Sequence, residues 1–79
     1  MTVEEQVKDI VSKIAHIDKE IMSREATFKE MKADSLDVVQ ALVAVEETFD
    51  IEIPDEEAQK FRNFGDFVAF VEQEVSKKG

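Results

Sequence analysis

Residues 35–49, SLDVVQALVAVEETF, run without a glycine, a proline or a basic residue. No other feature limits the fold as much. Side chains three and four apart share a face of a helix, and apolar residues recur here at those spacings. The stretch predicts a helix from Ser35 to Phe49. Asp34 is placed to cap it, and Asp37 puts negative charge in the first turn, where the helix dipole is positive. The helix stops at DIEIP, because the residue before Pro54 is pushed out of the helical region. Stepping about 100° per residue puts Val38, Leu42, Val45 and Phe49 along one stripe, and Leu36, Val39 and Val43 along another. A helix lying on a core needs one apolar stripe. Either this helix is central and buried all round, or its second stripe is a docking seam rimmed by Gln40, Glu46 and Glu47.

The flanking segments are read the same way. Thr2 followed by Glu5 resembles a capping box, and Val3, Val7, Ile10, Val11 and Ile14 form the buried face of a first helix. Residues 17–33 hold no sustained period and predict a long ordered loop, pinned to the core by Ile17, Ile21, Phe28 and Met31. DEEAQKF, opened by Pro54 and Asp55, predicts a short third helix. NFGDFVAFVEQEV predicts a fourth, capped by Asn63, with Phe64, Phe67, Val68, Val71 and Val75 inward. At 79 residues the chain has room for one domain, spanning 1–79, with a thin core. The expected architecture is all-α: a small antiparallel four-helix bundle with a long loop between its first two helices.

Charge is segregated to an unusual degree. Residues 34–57 hold nine acids and no base, so the whole net charge of −9 lies in that segment. This excludes nucleic acid as a partner, since phosphates demand a basic footprint, and favours partners with basic surfaces. Like charges about 6 Å apart in water repel by roughly 0.7 kcal/mol per pair, a cost that a purely structural segment has no need to carry. The acidic run DIEIPDEE lacks the sixth-position glycine and twelfth-position glutamate of a calcium loop, leaving only weak, casual divalent binding and no metal site. With no cysteine there is neither disulfide nor thiolate chemistry. MTVEEQVKDI has neither the basic start and apolar run of a secretory signal nor the composition of a transit peptide. No stretch is apolar enough to span a membrane. The chain therefore reads as cytoplasmic.

Ser35 stands at a helix start, where unpaired N–H groups and the dipole favour an anion. It is either a capping serine or the anchor of a phosphate ester. As a nucleophilic catalyst it is poor, because the only histidine, His16, falls at the end of the first helix and nothing marks an oxyanion hole. No enzyme constellation is present.

The segment ADSLDVVQALVAVEETFDIEIPDEEA resembles the acyl carrier proteins of dissociated, type II bacterial fatty-acid synthases, and the resemblance covers nearly the full chain. It implies a monomeric carrier, not an enzyme. Ser35 is then esterified by 4'-phosphopantetheine, donated from coenzyme A by a phosphopantetheinyl transferase, and the arm's thiol carries acyl groups as thioesters. Asp34, Leu36, Asp37, Val39, Gln40, Val43, Glu46, Glu47 and Ile53 then meet the basic, apolar-pocketed surfaces of acyl-transfer and fatty-acid synthase enzymes. Acyl chains slip between helices lined by Leu42, Val45, Phe61 and Val68. The chain departs from the family pattern at Lys32, usually glycine, at Gln40, usually glutamate, and in the phenylalanine-rich last helix. These departures leave a specialised acyl pathway, or an unmodified acidic interaction module, as the alternatives.

Overall fold

A computed structural model describes residues 2–78. It holds α1 (Val3–Ala15), a 3₁₀ turn (Lys19–Ile21), α2 (Ser35–Phe49), α3 (Asp55–Ala58) and α4 (Phe64–Lys77), and no strand among those residues. The three long helices begin where local chemistry directs. Thr2 Oγ1 accepts from Glu5 N at 3.1 Å, Asp34 Oδ1 from Leu36 N at 3.0 Å, and Asn63 Oδ1 from Asp66 N at 2.9 Å. Each bond satisfies one of the N–H groups that a helix start leaves without an intrahelical partner. α1 packs against α2 and α4. Val7, Val11, Val45, Phe64, Phe67, Val68 and Val71 form the centre of the core.

Two segments differ from expectation. Ile17 and Met31 are buried and Phe28 is packed against the core, but Ile21 is exposed and Met22 is buried in its place. Asp18 explains the exchange: its carboxylate accepts from Glu20 N at 2.9 Å and starts the 3₁₀ turn. A tighter turn re-aims the side chains that follow it. The third helix ends at Ala58 rather than continuing to Phe61. Lys60 N and Phe61 N bond to carbonyls three residues back, those of Glu57 and Ala58, as the chain turns to deliver the Phe61 ring to Phe67 and Phe70.

The long loop is fastened at its middle. Phe64 N and Gly65 N, at the start of α4, donate to the carbonyls of Ala26 and Arg24 at 2.8 Å each. The Arg24 side chain reaches Glu4 of α1 at 2.6 Å and Glu72 of α4 at 3.5 Å. Further on, Thr27 and Glu30 exchange side-chain bonds of 3.0 and 2.9 Å, forming one turn that ends at Lys32 with φ 59°. Residues 33 and 34 then lead directly into α2, so the loop's anchors set where the head of that helix lies.

Candidate functional site

The cap of α2 is the Asp34 carboxylate, so the helix does not use Ser35 as its capping residue. Ser35 is the first residue of the helix and is exposed. Its hydroxyl makes no hydrogen bond among the described residues. An uncommitted alcohol at the positive end of a 15-residue helix fits a phosphate diester, whose negative charge the dipole and the first-turn N–H groups stabilise.

Beside it lies the second stripe, and it is open. Leu36, Val39 and Val43 are 63, 54 and 45% exposed, which rules out a helix buried all round. Inward, Ala41 and Val45 are buried, with Leu42 and Phe49 packed against the core. Asp37 and Glu47 flank the open stripe without an ion-pair partner among the described residues. Two of the expected contact residues are committed inside the protein. Glu46 Oε2 accepts from Ile53 N at 2.7 Å, pinning the segment after α2. The Ile53 side chain is only 8% exposed, so Ile53 serves the core and not the outer surface. Its pattern in DIEIP could not show this, because a tie from its backbone N–H to a carboxylate seven residues earlier decides it.

The acidic belt has little internal compensation. Of its carboxylates, only those of Asp50 and Glu57 form ion pairs among the described residues, with Lys78 at 2.8 Å and Lys60 at 3.7 Å. The Lys78 ammonium, hydrogen-bonded to Asp50, holds that carboxyl below its usual range. No group of three or more His, Asp or Glu among the described residues is arranged to hold a metal ion. His16, exposed, ends α1 in the left-handed conformation.

The interior holds a largely enclosed apolar cleft, of about 10 Å³, whose walls include Val11, Phe28, Ala33, Val38, Leu42 and Phe67. Of the four residues expected around an acyl chain, Leu42 alone lines it. Val45 and Val68 are fully buried in the core, while Phe61 is spent on its ring neighbours. The helix wheel identifies inward residues, but where a void falls depends on the loop that closes over them. Phe28 and Phe67, expected in the core but not around an acyl chain, are two of its walls.

Comparison with known proteins agrees with this geometry. The profile of the family described as "Phosphopantetheine attachment site" matches residues 5–71. An acyl carrier protein of Helicobacter pylori is 42% identical over 73 residues, covering 91% of this chain and 94% of that one. The solution structure of a holo acyl carrier protein from Geobacter metallireducens is similar with a TM-score of 0.85 at 25% identity, over 99% of this chain and 91% of that one. With an exposed, uncapped serine heading a helix with an open apolar stripe, and with these relatives, the chain belongs to the acyl carrier protein family.

Proposed function

We propose that Ser35 is the attachment point of 4'-phosphopantetheine and that the open face of α2 presents the loaded arm to enzymes of fatty-acid synthesis. The observation that carries this is the division of labour at the helix head: Asp34 takes the cap, and Ser35 keeps an exposed, unbonded hydroxyl. In loading, Ser35 Oγ attacks the pyrophosphate phosphorus nearer the pantetheine of coenzyme A. A new P–O bond forms, the pyrophosphate bond breaks, adenosine 3',5'-bisphosphate leaves, and the hydroxyl proton passes to a base of the transferase. The attached arm supplies a thiol that holds acyl groups as thioesters. The protein's own part is to hold the phosphodiester at the N-terminus of α2 and to be recognised. Leu36, Val39 and Val43 supply apolar contact, and Asp37, Gln40 and Glu47, with Asp34 and Glu46 behind them, supply the rim that meets basic partner surfaces. The carrier works as a single cytoplasmic domain and a monomer.

Intact mass after incubation with coenzyme A and a phosphopantetheinyl transferase tests this. One phosphopantetheine should be gained by the wild type and none by Ser35→Ala. Absence of the gain, or its persistence in Ser35→Ala, overturns the assignment.

A further inference from the structure

The ring of Phe67 is almost completely buried. It is held by three others, with centroids 6.2 Å from Phe28, 5.6 Å from Phe61 and 6.1 Å from Phe64. It also forms a wall of the enclosed cleft, whose Ala33 and Val38 lie close in sequence to Ser35 and whose Leu42 lies about two helical turns further along α2. The cleft is thus placed to receive a chain from Ser35, but it is nearly filled. Its 10 Å³ is about the space of a single water-sized sphere, and a methylene is comparable in size to a water molecule. Widening it on that side means displacing Phe67, whose ring is already packed against three others. A broader surface cleft of about 360 Å³ does not substitute for it: beside Pro54 and Phe70 its walls are the polar Glu52, Glu57, Gln73, Glu74 and Lys77.

From this we infer that Phe67 is a plug that closes the bundle interior to acyl chains and so sets which acyl groups this carrier can shelter. The inference rests on the proposal that acyl groups are carried at Ser35, and it deepens that proposal. With Phe67 in place, a medium or long alkyl chain stays outside the bundle, available to partner surfaces, and the fold gains nothing from carrying it.

Melting temperatures test the plug in two arms. In the first, the unmodified chain is heated with and without 1-octanol, which needs no loading and so separates the plug from the attachment at Ser35. In the second, holo and octanoyl forms made from coenzyme A and octanoyl-coenzyme A are compared. Each newly buried methylene raises the melting temperature of a domain this small by roughly 3–6 °C. The wild type should therefore shift by less than about 3 °C on octanoylation, under one methylene's worth. Phe67→Leu, which keeps an apolar side chain but shortens it, should shift by more than about 6 °C, and Phe67→Ala by more again. A Phe67→Ala chain that is unfolded alone but folds when octanoylated counts in favour. Phe64→Leu is the control, fully buried and in the same ring cluster but absent from the cleft wall, and it should behave as the wild type. A large wild-type shift, or equal shifts in Phe67→Leu and Phe64→Leu, overturns the plug.

Discussion

Lys32 and Gly65 show how single positions set the geometry at the head of α2. Lys32 holds φ 59° at a place where glycine is usual in the family, and the left-handed region costs a residue with a Cβ roughly 1–2 kcal/mol. Glycine's greater freedom in the unfolded chain offsets part of this. Lys32→Gly should therefore raise stability by a few tenths to about 1 kcal/mol. Urea unfolding in about 1 M salt, where the Debye length is about 3 Å, isolates the backbone effect from the lost charge, and an unchanged or lower midpoint would contradict it. Gly65 is constrained by contact instead: a Cβ there would stand 2.8 Å from the Arg24 carbonyl oxygen and 3.0 Å from Arg24 Cβ. The helix-favouring effect of alanine, about 1 kcal/mol, is set against forcing the loop off α4. Overpacking of this kind costs about 1–3 kcal/mol, so Gly65→Ala should destabilise and speed amide exchange at Phe64 and Gly65. A stabilised variant would show that the loop yields easily. The same junction bears on pH. Hydrogen bonds from Arg24 and then Lys8 hold the Glu4 carboxyl below its usual range. A depressed folded pKa stabilises above the unfolded value, and this part of the stability is lost as pH falls through the folded one. Arg24→Ala should therefore flatten the acid side of the stability profile.

At the scale of elements, the open stripe of α2 separates surface from core along one helix. Val43 is half exposed and Val45 is fully buried. Val43→Asp should stay within about 0.5 kcal/mol of wild type in denaturation, as surface changes do, yet load slowly at every salt concentration because it breaks an apolar contact. Val45→Asp buries a charge without a partner and should unfold the domain. Glu47→Lys should slow association with a basic partner mainly at low salt, since a rim charge steers encounter. If Val43→Asp unfolds as completely as Val45→Asp, the stripe is not a surface. The helices themselves were legible in the sequence because their signals are local: Thr2, Asp34 and Asn63 each cap a backbone two or three residues away. Ile21, Ile53 and the cleft were misplaced because each depends on something distant or irregular. A 3₁₀ turn puts Met22 rather than Ile21 in the core, a carboxylate from α2 ties down Ile53, and a loop clipped to α4 determines where the void lies. Ser35, the proposed attachment point, was legible as an anion-favouring position, and the family resemblance implied phosphopantetheine there.

For the molecule as a whole, two kinds of electrostatics move stability in opposite directions when salt screens them. The ion pairs are mainly on the surface and distributed over α1, the loop and α4, as between Lys8 and Glu4 or Lys19 and Asp9. Each is worth about 0–1 kcal/mol and weakens on screening. The repulsion within residues 34–57 is concentrated, with nine acids and no base in the segment, and also weakens on screening. With a net charge of −9 the repulsion dominates, so the melting temperature should rise as salt is added or with millimolar Mg²⁺. A flat or falling titration would mean that the belt is not under strain. Lys78 makes the test sharper, because it comes from the C-terminal segment to bond the Asp50 side chain at 2.8 Å and the Asp50 carbonyl where α2 ends. It thus fastens the C-terminal end of the belt's helix to the chain's basic segment. Lys78→Ala should lower the melting temperature at low salt and much less in about 1 M salt, where a Debye length of about 3 Å has already removed most of the repulsion and most of the attraction. An equal loss at both salt concentrations would make Lys78 a packing contact, its aliphatic stem rather than its charge holding the end of α2.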